Sequence, residues 1–193
     1  DIDGNVTLNV YGGIYENVFG GSKGRSGNTS ADSANIDGNV TLNLFGGTMV
    51  NAFGGSDVNG NITGSINVNM LDFGGTCGLQ VNNVFGGGRN AAYTPDDATT
   101  DSITVNIIHG TVSKVGDDHG NVFGGGYGST AEASANAVVN IGYDATLMGG
   151  TGESSKLLYS LLHDAPYSPT VNNPANYAVT IGANVYGGGE QAP

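Results

Sequence analysis

The residue types that could catalyse a reaction are few and scattered in this chain. Asp117-Asp118-His119 is the one tight group of acids with a histidine, and glycines flank it. Acid–base chemistry on a polysaccharide needs convergent carboxylates, and a lyase also needs an Arg or Lys base beside them. Arg89 has no acid two or four residues away. The Asp-Asp-His group therefore favours a solvated turn, and no serine–histidine–aspartate, phosphate-loop or zinc spacing accompanies it.

A second candidate chemistry is calcium binding by short acidic turns. The string DIDGN at 1–5 has two echoes, NIDGN from Asn35 and DVNGN from Asp57. Oxygen ligands at alternate positions are a feature of calcium loops, but the distal glutamate of an EF-hand is missing. Asp-Gly and Asn-Gly are also strong turn formers. Two interpretations stay open: plain turns without metal, or calcium sites in which Asp1, Asp3 and Asp37 are ligands.

Threonine and asparagine alternate with aliphatic residues in a segment that recurs along the chain. The copies are VTLNV at 6–10, VTLNL at 40–44, INVNM at 66–70, ITVNI at 103–107 and AVVNI at 137–141. Strict alternation predicts a strand with one buried face. The polar face has two interpretations: asparagines that hydrogen-bond along a stack, or a flat Thr/Asn grid like that of ice-binding solenoids. Tyr11, Phe45 and Ile108 interrupt such a grid.

In a second recurring motif, an aromatic residue or a methionine is directly followed by two glycines. These residues are Phe19, Phe53, Phe85, Phe123, Met148 and Tyr186, at separations of 34, 32, 38, 25 and 38. Self-similarity at a near-constant period is the signature of a stacked repeat. Each repeat predicts a strand, a Gly-Gly turn, a shorter strand, a second Gly-Gly turn and a polar return. Glycine suits bends with positive φ and places where another backbone approaches closely.

These repeats predict an all-β fold, a right-handed parallel β-solenoid (β-helix) of about six coils of roughly 33 residues each. No helix-sized segment separates the strands, which excludes a βαβ sheet. A β-sandwich is the main rival, but sandwiches do not repeat the same motifs in order. Residues 1–193 are expected to be a single solenoid domain and a fragment of a longer protein. The four phenylalanines that precede Gly-Gly are expected to stack in one internal column.

Residues 151–178 break the repeat. Serines precede an apolar stripe there and Pro166 ends it, which predicts a short helix on a long excursion. The stripe either covers core or docks a partner. Acidic loops are the other candidate contact surfaces, because loops usually carry binding specificity. The residues predicted to contact a partner are Leu157, Leu158, Tyr159, Leu161, Leu162, Asp96, Asp97, Asp117 and Asp118.

The charge balance limits the partners. Five basic residues face 17 acidic ones, for a net charge of −12 at pH 7. Nucleic acids and anionic membranes need clustered Lys and Arg, so neither is an expected partner. No apolar run reaches the roughly 20 residues that span a membrane, and the lone cysteine allows no disulfide within the chain. The end coils carry no evident cap, so end-to-end self-association is expected.

The pattern Gly-Gly-x-x-x-Asn-Val-Phe-Gly-Gly, at 12–21 and, with Ala52 for valine, at 46–55, resembles the repetitive β-solenoid segments of large bacterial surface and secreted adhesins. The resemblance covers most of the chain outside 151–178. It implies a non-enzymatic stalk or binding segment, displayed on the cell surface or secreted, whose partner is a host or environmental protein or glycan. It implies no cofactor, with calcium as the one candidate. A polysaccharide-active β-helix enzyme is the first alternative, and an ice-binding solenoid is the second.

Overall fold

The described part of the chain consists of β-strands and contains no helix. The computed structural model describes residues 1–27, 33–72, 78–113, 120–142 and 178–190. The strands are β1 (Val6–Val10), β2 (Ile14–Phe19), β3 (Val40–Leu44), β4 (Gly47–Phe53), β5 (Ile66–Leu71), β6 (Leu79–Phe85), β7 (Ser102–Val112), β8 (Asn121–Phe123), β9 (Asn136–Ile141), β10 (Val179–Ile181) and β11 (Val185–Tyr186). The helix predicted within 151–178 lies outside the described residues. No helix long and apolar enough to cross a membrane occurs among the residues that are described.

All of these strands pair in parallel and stack into a β-solenoid, as the repeats predicted. The first sheet has the order β1-β3-β5-β7-β9, and β1 matches β3 residue for residue. The second sheet stacks β2, β4 and β6, followed by the end of β7 with β8, and then by β10 and β11. Isolated parallel bridges, such as Ile2 to Ile36 and Ile36 to Ile62, form a third side. The coils therefore wind around one shared core.

The described residues form about four full turns, whereas the repeats had predicted six coils. β1 to β8 make four coils, and β9, β10 and β11 belong to a last, interrupted one. Val179–Ile181 resembles a first-sheet strand in sequence, but it pairs with residues 110–112 at the end of β7. Tyr186 lies opposite Phe123 and so completes this same coil. The predicted number of coils was too high, because three alternating residues do not specify which sheet they join. Met148, another of the repeat positions, lies outside the described residues.

Two separate apolar columns run along the stack. The aliphatic core includes Val40, Leu42 and Leu44 of β3, which are fully buried. The phenylalanines form a cluster of their own, in which Phe53 stacks against Phe85 with ring centroids 4.7 Å apart. The neighbouring rings of this column stack at 4.8–4.9 Å, and Tyr186 extends it at the far end. The predicted stacking is confirmed, but the column lies beside the aliphatic core.

The two Gly-Gly turns of a repeat need glycine for different reasons. In the first turn, Gly13 and Gly47 have φ values of 110° and 103°, which residues with a side chain rarely adopt. In the second turn, Gly54 has no such φ but faces the core. A Cβ there would collide with the carbonyl oxygen of Gly86 and lie 2.6 Å from Cγ2 of Val68. Close approach of the next coil therefore demands the second glycine pair.

Candidate functional site

A column of asparagines runs the length of the first sheet at one register position. Its members are Asn9, Asn43, Asn69, Asn106 and Asn140. Each Nδ2 donates to the Oδ1 of the asparagine in the preceding coil, at 2.8–2.9 Å. The three central side chains are at most 2% exposed. The interpretation as asparagines hydrogen-bonded along a stack is confirmed, and these residues are buried structural groups.

The burial of this column removes much of the Thr/Asn grid from solvent. Thr41 in the neighbouring column is also buried, and Val138 takes the threonine position in β9. Tyr11 and Phe45 stack beside the grid, with ring centroids 5.1 Å apart. An ice-binding face needs a flat plane of exposed and evenly spaced groups. The described part of this face is not such a plane.

A polar groove opens on the outer side of the second sheet. Its volume is about 440 Å³, and its lining extends from the first coil to the last. The polar and charged lining residues include Glu16, Asn17, Asn51, Asn83, Arg89 and Glu190. The other lining residues are Val50, Phe53, Phe85 and Tyr127. The groove is thus suited to a ligand that forms many hydrogen bonds.

Three asparagines, Asn17, Asn51 and Asn83, form the amide row of the groove. Nδ2 of Asn51 donates to Oδ1 of Asn17, and Nδ2 of Asn83 donates to Oδ1 of Asn51, both at 3.0 Å. An amide group has two N–H donors and an oxygen with two lone pairs. Oδ1 of Asn83 also accepts the backbone N–H of Asn121 at 3.2 Å. Each of the three amides still keeps an N–H donor and a lone pair after these bonds. All three side chains are partly exposed, so this capacity is open to a ligand.

Arg89 brings a positive charge to the wall of the groove. Its Nε donates to Oδ1 of Asp57 at 2.8 Å, in an ion pair whose aspartate is buried. The guanidinium carbon lies 5.2 Å from the centre of the Phe19 ring, within cation–π range. Parallel bridges connect Arg89 to Tyr127 and Tyr127 to Glu190 on the next coils. Contacts with two earlier coils thus hold this arginine, and its acidic partner Asp57 comes from a different coil.

Two carboxylates reach the groove, but they come from opposite ends of the stack. Glu16 lies in β2 on the first coil, and Glu190 follows β11 on the last. Four coil spacings of about 4.8 Å place their backbones about 19 Å apart along the stack. The paired carboxyl groups of glycosidases are about 5–9.5 Å apart. This pair therefore lacks the spacing for glycoside hydrolysis.

The acidic turns proposed as calcium sites connect successive coils. Oδ1 of Asp1 accepts the backbone N–H of Asn35 at 2.8 Å, and Oδ1 of Asn35 accepts that of Asn61 at 2.9 Å. Asp3 and Asp37 are exposed. Within the described ranges no three acidic, histidine or cysteine side chains form a group that could hold a metal ion. The repeated string therefore satisfies backbone donors, and the three aspartates are not gathered into a ligand set.

The segment from Asn90 to Asp101 forms the third side of a coil and is tied to the core. Tyr93 is buried, its hydroxyl donates to the carbonyl oxygen of Gly64 at 2.9 Å, and its backbone bridges to Ala133. Burial raises the pKa of the Tyr93 phenol far above its usual range, and the negative charge of Asp101 raises it further. The phenol therefore stays neutral, and its hydrogen bond anchors the loop to the neighbouring coil.

The tip of this loop carries two residues predicted to contact a partner. Asp96 and Asp97 are both exposed. Asp97 accepts hydrogen bonds from the hydroxyl and the backbone N–H of Thr99, at 2.5 and 2.9 Å, and these bonds lower the pKa of its carboxyl. Asp97 thus stabilises the turn, whereas Asp96 is the better placed of the two for contact with a partner.

The remaining residues predicted to contact a partner lie outside the described residues. They are Leu157, Leu158, Tyr159, Leu161, Leu162, Asp117 and Asp118. Sequence analysis, in turn, did not predict the groove. The asparagine of each Gly-Gly-x-x-x-Asn motif was a usable signal for the amide row, because it recurs at one place in the repeat. Arg89, Tyr127 and Glu190 each directly follow three consecutive glycines, which was a usable signal that they occupy one place in the repeat. That this place lies beside the amide row is shown by the fold alone.

Comparisons with known proteins add no family to this description. No protein-family model matches the chain, and neither a curated protein nor a solved structure does. The fold alone does not define an activity. A functional conclusion therefore depends on the groove, the columns and the exposed loop tip.

Proposed function

We propose that this chain is a non-enzymatic, adhesin-like segment of a bacterial cell-surface or secreted protein, which binds a protein or glycan partner or serves as a stalk. The observation that carries the proposal is the continuous, in-register stack. Asparagine and aromatic columns connect successive coils, so the sides of the solenoid present groups at even spacing. Stacked repeats of this kind build extended binding surfaces.

One proposed contact lies on a side of the solenoid. The exposed carboxyl of Asp96 stands at the tip of a loop that Tyr93 anchors, and an anchored loop loses little entropy on binding. The leucines of 151–178 are proposed as a second contact surface, as their apolar stripe predicted. A net charge of −12 disfavours nucleic acid and anionic membranes. A protein or a glycan is therefore the partner class that the charge favours.

The experiment that tests this function measures binding of the labelled chain to cultured cells and to extracellular-matrix coatings. Saturable binding is the expected result, with no release of reducing ends from plant or bacterial polysaccharides and no inhibition of ice recrystallisation. Asp96→Ala is expected to weaken binding, because its carboxyl stands at the proposed contact. Asp37→Ala, at another exposed turn, is the matched control. Polysaccharide cleavage without saturable binding would replace this function with the enzymatic alternative.

We also propose end-to-end self-association of the isolated chain. Large exposed apolar side chains are concentrated on the end coils, with Ile14 at 90% and Tyr11 at 66% on the first coil and Tyr186 at 45% on the last. The buried asparagine column has a direction, because Asn9 ends it as an acceptor and Asn140 ends it as a donor. Unlike ends favour head-to-tail stacking, in which the first coil of one copy follows the last coil of another.

Sedimentation velocity over a range of concentrations tests the self-association. The sedimentation coefficient is expected to rise with concentration. Ile14→Lys is expected to suppress the rise, whereas Val50→Lys, on the second coil, leaves it unchanged. A strict monomer at every concentration would refute head-to-tail stacking.

A further inference from the structure

We propose that the groove on the second sheet binds a neutral oligosaccharide that lies along the solenoid axis. The proposal rests on the proposed function and assigns a site and a ligand class to it. The volume of about 440 Å³ falls within the range of about 300–1,000 Å³ typical of small-molecule sites. The lining residues come from successive coils, so the cavity runs along the stack and a chain molecule can lie in it lengthwise.

The amide row supplies the chemistry that sugar hydroxyls need. A hydroxyl both donates and accepts a hydrogen bond, so its best partner offers a donor and an acceptor side by side. Asn17, Asn51 and Asn83 each keep such capacity after their bonds along the row. Tyr127 also lines the groove, and a tyrosine hydroxyl can both donate and accept. A polyhydroxylated ligand satisfies all of these groups together, whereas an apolar ligand would leave them without partners.

The orientation along the axis follows from the spacing of the row. Successive asparagines belong to successive coils, so they are about 4.8 Å apart. A pyranose unit in an extended chain has a comparable length, so consecutive sugars can meet consecutive amides. The phenylalanine rings stack on one another, and Phe53 and Phe85 are at most 2% exposed. They therefore do not offer a free face for a sugar, and recognition depends on hydrogen bonds.

The charges around the groove favour a neutral ligand. Glu16 and Glu190 line it at opposite ends, and the chain as a whole is strongly acidic. Arg89 is the basic residue of the described lining, and its Nε is engaged by Asp57. A uronic or sulfated sugar would thus meet two carboxylates and one arginine that is already paired. Repulsion between like charges makes anionic glycans weaker ligands than neutral ones.

A matched pair of variants tests the site on the intact chain. Val50 lines the groove and is 42% exposed, whereas Val138 lies on the first sheet of the last coil and is 44% exposed. Val50→Arg places a long side chain in the groove, and Val138→Arg makes the same exchange elsewhere. Binding is measured by calorimetry with cellohexaose, mannohexaose and chitohexaose, and with hexagalacturonate as the anionic probe. Thermal melting confirms that both variants are folded.

At least one neutral hexasaccharide is expected to bind the wild-type chain. Its dissociation constant is expected to rise about tenfold or more in Val50→Arg and to stay within about twofold of wild type in Val138→Arg. Glu16→Gln is expected to improve binding of hexagalacturonate relative to the neutral probe. Equal effects of the two arginine variants, or a preference for the anionic probe, would overturn the proposal. If no hexasaccharide binds but the chain still binds cells saturably, the groove proposal fails and the proposed function stands. If neither binds, both fail.

Discussion

The direction of the buried asparagine column can be tested by exchanging one amide for a carboxyl. Asn69 donates to Asn43, accepts from Asn106 and is 2% exposed. In Asn69→Asp an ionised carboxylate still accepts from Asn106, but it has no proton to donate to Asn43. The oxygen of Asn43 loses its partner, and a charge is buried without a cation. Both changes destabilise the folded state.

Protonation of the new carboxyl sets the size of the loss. A neutral carboxyl donates its O–H to Asn43 and accepts from Asn106, so the folded variant takes up a proton. An aspartate carboxyl has an unfolded pKa of about 3.9, so keeping it protonated at about pH 7 costs about 1.4 kcal/mol for each of about three pH units. The cost is therefore at most about 4 kcal/mol. We therefore expect Asn69→Asp to lower the free energy of unfolding by about 3–4 kcal/mol at about pH 7.

The sign of the pH dependence follows from the same proton. The buried site raises the pKa of the new carboxyl above its unfolded value, so the folded state binds more protons than the unfolded state. Stability then falls as pH rises between these two pKa values. The penalty of Asn69→Asp relative to wild type is expected to shrink by about 1.4 kcal/mol per pH unit on acidification from about pH 7 towards about pH 4.

Asn9→Asp is the matched control for this exchange. Asn9 is exposed and acts in the column as an acceptor alone, a role that a carboxylate keeps. Its effect is expected to stay within about 0.5 kcal/mol. The assay is urea unfolding followed by circular dichroism at several pH values, with the wild-type curve subtracted. Equal losses in the two variants, or a penalty in Asn69→Asp that does not shrink at low pH, would refute the direction of the column.

Three further outcomes are expected. Phe85→Ala should lower the free energy of unfolding by about 3–5 kcal/mol, because its ring is buried between two others. Tyr186→Ala, at the exposed end of the column, should lower it by about half as much or less, and equal losses would contradict this order. Gly54→Ala should cost about 1–3 kcal/mol by overpacking. Gly12→Ala should cost no more than about 0.5 kcal/mol, because a Cβ added there meets open space. A similar loss of stability in the Gly12 and Gly54 variants would argue against close approach of the next coil at Gly54. EDTA should leave the melting midpoint unchanged, because the Asp1 carboxylate already accepts a backbone N–H; a lower midpoint would reveal a bound metal.

Much of the fold was predictable because it is encoded locally and repeated. Alternation in segments such as 40–44 specifies a strand with one buried face, and the same motifs in the same order specify stacking. The aromatic position before each Gly-Gly pair specified the phenylalanine column as well. The amide row of the groove was encoded in the same motif, but one repeat does not show that its asparagines line a cavity.

The sequence by itself determined the strands, the turns and the parallel solenoid, because these depend on periodicity and on the restricted conformations of glycine. The tertiary structure alone decided how the coils match. It assigned Val179–Ile181 to the second sheet, buried Asn43 and Asn69, showed which glycines avoid a collision, and brought Arg89 to the amide row. Each of these depends on contacts between coils, across separations from 26 residues (Asn69 to Asn43) to 69 residues (Val179 to Gly110). No local pattern fixes such contacts, because the length of the intervening return segment varies from coil to coil.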